Sequence, residues 1–93
     1  MIRSFADSDT EKVWNLTVVK QFGNDIAQAA RKKMQLLDTA ENIIDLRIPP
    51  GNRPEKLNGS REGQHSVRVN DQWRLCFASA NGGAEQVELT DYH

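Results

Sequence analysis

The chain has 93 residues, a formal net charge of −1 at pH 7 and 27 % charged side chains, a size that suits one domain around one core, read here as a single domain over residues 1–93. No apolar run reaches the roughly 18 residues that a membrane-spanning helix needs, and the first residues lack the apolar stretch of a secretory signal. A lone cysteine, Cys76, allows no internal disulfide, so a reducing, cytoplasmic setting is expected.

Ile2-Arg3-Ser4-Phe5 reads as a short first strand, with Ile2 and Ser4 on one side and Arg3 and Phe5 on the other. Asp7, Ser8, Asp9 and Thr10 are all N-cap types, and Glu11 stands three residues after Ser8, the spacing of a capping box. A helix over 8–16 is expected, carrying Val13, Trp14 and Leu16 as a candidate docking patch, unless Trp14 sits in the core. The β-branched run Thr17-Val18-Val19 weakens that helix, and Gly23 ends any continuation of it. A second helix starts at Asn24 or Asp25, with Ile26, Ala27, Ala30, Met34 and Leu37 on one stripe. Arg31-Lys32-Lys33 reads as cations on its solvated face, with nucleic-acid contact as the alternative. Asp38-Thr39-Ala40-Glu41 looks like a cap that restarts a short turn through Ile43, Ile44 and Leu46, which Pro49 ends.

Pro49-Pro50-Gly51-Asn52 and Arg53-Pro54 open a loop, because proline lacks an N–H and biases its predecessor away from the α region. A hairpin comes next. His65, Val67 and Val69 alternate with polar residues, and so do Trp73, Leu75 and Phe77. A two-residue loop at Asn70-Asp71 would mix apolar and charged groups on both faces. A three-residue loop, Asn70-Asp71-Gln72, pairs Val69 with Trp73, Val67 with Leu75 and Arg68 with Arg74, leaving one face apolar and two arginines side by side on the other. Like charges directly opposite are unfavourable unless an anion sits between them, so the two arginines are either solvated or paired with carboxylates such as Glu88, or they hold an anion. Asn81-Gly82-Gly83 makes the next turn, and Val87 and Leu89 alternate in a last strand. The layout is α+β: an N-terminal strand and two helices packed on a mostly antiparallel sheet with a C-terminal three-stranded meander.

The cations are concentrated in the loop and hairpin. Residues 47–78 hold six (Arg47, Arg53, Lys56, Arg61, Arg68 and Arg74) against Glu55, Glu62 and Asp71, a local balance of +3. The segment GNRPEKLNGSREGQHSVRVNDQWRLCF with a later Asp91-Tyr92-His93 resembles the HigB toxins of bacterial toxin–antitoxin systems, a branch of the RelE superfamily. Met1-Ile2-Arg3-Ser4-Phe5 and the Arg31 to Leu36-Leu37-Asp38 segment fit the same pattern. The resemblance implies a RelE-like fold and a small ribosome-dependent endoribonuclease that cuts mRNA in the A site. It also implies a helix-turn-helix antitoxin of the HigA type, through which the toxin reaches promoter DNA indirectly.

Metal-independent RNA cleavage needs a base for the 2′-OH, positive charge at the phosphate and an acid for the leaving 5′-oxygen. No Cys/His or carboxylate spacing suits a metal, and no cofactor is expected. Arg53, Lys56, Arg61 and Arg68 are candidate RNA-phosphate cations, and Arg74 a catalytic one whose loss is expected to cost little stability from a polar strand face. The resemblance implies that Asp91, Tyr92 and His93 lie in the active site; from the residues alone they would better suit a frayed tail. Relatives often carry histidine where this chain has Glu55, which should face Arg53, Lys56 and Arg61 and so be a weak base or a positioning group. His65 reads as a half-buried strand residue rather than a catalytic one, and Trp14 and Trp73 as core or interface rather than base-stacking platforms. The competing reading is a weakly or non-catalytic homologue that binds the antitoxin.

Overall fold

A computed structural model describes residues 1–47, 50–80 and 82–91. Two helices, α1 (Ser8–Trp14) and α2 (Asn24–Thr39), precede four strands: β1 (Glu55–Lys56), β2 (Gln64–Arg68), β3 (Arg74–Ala80) and β4 (Gly83–Thr90). The strands form one antiparallel sheet in the order β1-β2-β3-β4. The expected three-stranded meander is β2 to β4, and the loop after Asn52 adds β1 at its edge.

α1 is capped by Asp7, whose side chain accepts from Thr10 N at 2.7 Å. The cap therefore falls one residue before the expected Ser8. The helix stops at Trp14, and Leu16 takes φ 64, a left-handed conformation unusual for a residue with a Cβ. The β-branched residues after it give the chain no reason to stay helical. α2 buries Ala30, Met34 and Leu37, with Ile26 and Ala27 packed beside them, so the expected stripe is the core stripe. It rests on Val67, Leu75, Phe77, Val87 and Leu89 from the inner face of the sheet. Each such side chain contributes about 1.5–3 kcal/mol by leaving water.

The first segment lies parallel to β4 through isolated bridges, Ile2 with Ala84 and Phe5 with Val87. Arg3 N donates to Ala84 O at 2.7 Å and Val87 N to Ser4 O at 3.1 Å. Between these bridges β4 bulges: Cys76 faces Glu88 but Ala78 faces Glu85, and Gln86 takes φ 54. The extra residue lets Ala84 and Val87, three apart, both face the core. Asp38 does not cap a new turn. It stays in α2 and accepts from Ile2 N at 2.8 Å, while Asp45 accepts from Glu41 N and Asn42 N in the short 3-10 turn Ile43–Arg47.

One long-range bond ties α1 to β4. Thr10, fully buried, accepts from Leu89 N through its hydroxyl at 3.0 Å. Thr10→Val keeps the shape but orphans a buried N–H, and is expected to cost about 1–3 kcal/mol in a urea or thermal unfolding measurement.

The expected docking patch does not form as a surface. Val13 is a core residue, and Trp14 packs against the core beneath the Arg31 guanidinium, 5.2 Å from its ring. Arg31 Nε also donates to Trp14 O at 3.0 Å, so this cation is spent on α1 rather than left on a solvated face. The apolar residues exposed at that end are Leu16 and Val18.

Candidate active site

The hairpin adopts the three-residue register. Val67 pairs with Leu75 and Arg68 with Arg74, and Val69 N donates to Trp73 O at 2.9 Å. Asn70 shapes the loop, its Oδ1 accepting from Gln72 N at 2.8 Å and Trp73 N at 2.7 Å, an Asx turn that asparagine favours. Trp73 packs edge-on against Phe22 at 5.2 Å and lies, partly buried, against the core.

This register places two cross-strand rows on the outer face of the sheet. One runs Glu55, Ser66, Cys76, Glu88 and the other Arg68, Arg74, Thr90. Ser66 and Cys76 are fully buried on this polar face. Burial pushes the Cys76 thiol up; Arg61 pulls the other way, Glu88 adds to the rise and Arg74 opposes it. A thiol held protonated is no nucleophile.

Arg74 is the centre. Its side chain is only 14 % exposed. Nε donates to Ser66 Oγ at 2.9 Å and Nη2 to Arg53 O at 2.6 Å, with Glu55 Oε1 at 3.9 Å. The fork is thus aimed before any ligand arrives. Arg53 supplies that carbonyl from φ 41, a strained conformation of the sort that persists where surroundings over-determine it. A groove of about 420 Å³ is lined by Arg53, Glu55, Arg68 and Arg74 with the loop residues Asn70, Asp71 and Gln72. Gln72 Nε2 donates to Asp91 Oδ2 at 2.9 Å and brings that carboxylate to the rim.

Four of the expected site residues therefore line one groove, and Asp91 joins them through Gln72. Lys56 does not. It pairs with His65, one position round from Glu55, and strand alternation puts it on the opposite face. Arg61 does not line the groove either; it bonds Gln64 at 3.1 Å and Glu88 at 3.0 Å. Glu55 consequently faces Arg74, not the expected Lys56 and Arg61. The carboxylate beside Arg68 is Asp71 rather than Glu88, which Arg61 takes. Tyr92 and His93 lie outside the described residues. Among the described residues, no group of three or more His, Cys, Asp and Glu is placed to hold a metal ion.

His65 is half-buried on β2 and stacks on Phe77, ring centroids 6.0 Å apart. Burial, and then the charge of Lys56, lowers its pKa from the ordinary 6.5. The unfolded chain then takes up the proton first as pH falls. Stability from this group is full above about pH 6.5 and is lost as pH drops from there through the lower folded-state value. His65→Leu removes the titrating ring, so unfolding midpoints should change less between pH 7 and 5 than in the wild type.

The family model for the HigB-like toxin, a RelE-like toxin of type II toxin–antitoxin systems, matches residues 3–93. The chain is 48 % identical over 66 residues to Toxin HigB-1 of Vibrio cholerae, covering 71 % of this chain and 70 % of that protein. It is 30 % identical over 97 residues to Endoribonuclease HigB of Proteus vulgaris, covering all of both. Among solved structures, the YoeB-YefM complex from Staphylococcus aureus superposes with a TM-score of 0.64 at 15 % identity, over 100 % of this chain and 98 % of that one, a likeness of fold. The chain belongs to the HigB-like family of RelE-like toxins from type II toxin–antitoxin systems.

Proposed function

We propose that this toxin is a metal-independent endoribonuclease that cleaves mRNA held in the ribosomal A site and is neutralised by a HigA-type helix-turn-helix antitoxin. The observation that carries the reading is the groove that a pre-aimed guanidinium, Arg74, lines together with Glu55, with Asp91 brought to its rim by Gln72. Glu55 sits on β1 at one side of the sheet, and Asp91 comes after β4 at the other. In-line cleavage needs a base and an acid on opposite sides of the phosphorus. The 2′-oxygen attacks the adjacent phosphorus while its proton passes to a base. The 5′-oxygen departs from the far side and receives a proton from an acid, leaving a 2′,3′-cyclic phosphate. Arg74 holds the charge that builds on the phosphoryl oxygens. Glu55 serves as base, Asp91 and His93 provide the acid side, and Tyr92 positions the nucleotide.

Arg53 and Arg68 hold flanking phosphates. Arg68 is paired with Asp71, whose side chain is 97 % exposed. Such pairs are worth about 0–1 kcal/mol, so a phosphate displaces Asp71 at little cost. Antitoxin binding is expected because the neighbour of matching fold was solved as a toxin–antitoxin complex. No helix among the described residues is long and apolar enough to cross a membrane, and the proposed site of action is the cytoplasm.

One observation favours a non-catalytic antitoxin-binding module acting at its promoter: Arg61, Arg68 and Arg74 each already have a carboxylate beside them. Induced expression in a bacterium separates the two. Growth arrest with cleavage of polysome-associated mRNA is expected. Growth like an uninduced strain, with intact messages and folded protein present, overturns the enzyme reading.

A further inference from the structure

Resting on that cleavage reading, we infer that Asn52, with Lys33 behind it, is a positioning residue for the reaction, holding the strained Arg53 carbonyl that aims Arg74. Asn52 is 1 % exposed in the 3-10 turn Pro50–Asn52. Its Nδ2 donates to Leu46 O at 3.1 Å, and its Oδ1 accepts from Lys33 Nζ on α2. A buried amide bonded at both ends fixes the backbone it belongs to.

The next peptide is fixed as well, because Arg53 N donates to Pro50 O at 3.2 Å. Arg53 then turns through φ 41, and Pro54 after it has a φ locked by its ring. The Arg53 carbonyl, bounded on both sides, meets Arg74 Nη2 at 2.6 Å. An otherwise costly conformation is thereby kept, and its product is the direction of the guanidinium. Lys33 and Asn52 do not line the groove, so their effect on RNA passes through the Arg53 backbone and the Arg74 guanidinium it aims.

The test uses the full chain on ribosomes programmed with mRNA, in single turnover at saturating toxin, with folded fraction checked by thermal unfolding. Asn52→Ala is expected to lower the cleavage rate by about 10²-fold, the cost of a misplaced catalytic group. Lys33→Met, on a half-buried helix position, lowers it in the same direction and covers the case in which Asn52→Ala does not fold. Each substitution is repeated on Arg74→Lys, which removes the fork. Action through Arg74 means the second substitution then costs little. Wild-type rates in both variants, or the same fold-loss on either background, overturn the inference.

The NMR signal of the Arg74 Nε–H gives a readout that does not need cleavage. It should move in Lys33→Met and Asn52→Ala while inner-face core signals stay put. An unmoved signal overturns the positioning role. A wild type that cleaves nothing sinks the enzyme reading but leaves this signal to decide the positioning role.

Discussion

Arg74→Ala is expected to abolish growth arrest, with cleavage per folded molecule falling by about 10²–10³, the usual cost of one transition-state donor. The guanidinium is held on Ser66 Oγ and Arg53 O, so it has nowhere to relax and no need to reorganise when charge develops. That same geometry revises the expectation about stability. A side chain only 14 % exposed and bonded twice is not a solvated strand residue. Hydrogen bonds to charged groups are worth about 1.5–3 kcal/mol, so Arg74→Ala should lower the unfolding free energy well beyond the roughly 0.5 kcal/mol of an ordinary surface change. Arg74→Lys keeps a charge and most of the stem but offers no planar fork. It should recover part of the stability while leaving cleavage at least tenfold down. Cleavage by folded Arg74→Ala at the wild-type rate would remove Arg74 from the reaction.

The hairpin is legible in the sequence because its register is a binary choice. With the inner face buried, only the three-residue loop puts Val67, Leu75 and Phe77 inside together, and it forces Arg68 opposite Arg74. The α2 stripe is legible for the same reason, since a run of apolar residues at helical spacing has one economical burial. What the pattern cannot reveal is long-range polar pairing. Thr10 reads as a cap residue, yet it serves Leu89, 79 positions away. Asn52 reads as a turn residue, yet its amide joins Lys33 to Leu46. Arg61 and Arg68 look alike in the sequence, yet Arg61 pairs with Glu88 away from the groove while Arg68 and its exposed partner Asp71 both line it. Lys56 is misplaced by the pattern because the short strand β1 reads as loop, where alternation gives no guide to facing. A signal is present all the same: Glu55 and Lys56 sit between Pro54 and a buried Leu57, as an edge strand after a proline would.

His93→Gln is expected to lose about 10²–10⁴ in ribosome-bound cleavage, the contribution of positioned proton transfer. Glutamine keeps the size and a hydrogen-bond donor but cannot pass a proton, so binding should survive while the chemical step fails. The pH dependence distinguishes an acid from a base. An imidazole ordinarily titrates near 6.5, and if His93 protonates the leaving 5′-oxygen the useful form is the charged one. Cleavage by the wild type should then fall as pH rises through that pKa, and this fall should vanish in His93→Gln. Glu55→Gln tests the base side. Glu55 is 57 % exposed beside Arg74, and glutamine keeps its shape but cannot take the 2′-OH proton, so cleavage should fall by about 10²–10⁴. Asp91→Asn keeps an acceptor for Gln72 Nε2 but removes a carboxylate at the rim. A milder loss than in His93→Gln therefore assigns Asp91 to orientation. Cleavage by His93→Gln within about threefold of wild type from pH 6 to 8, against the 10²–10⁴ expected, would leave Asp91 and Glu55 as the proton-transfer pair.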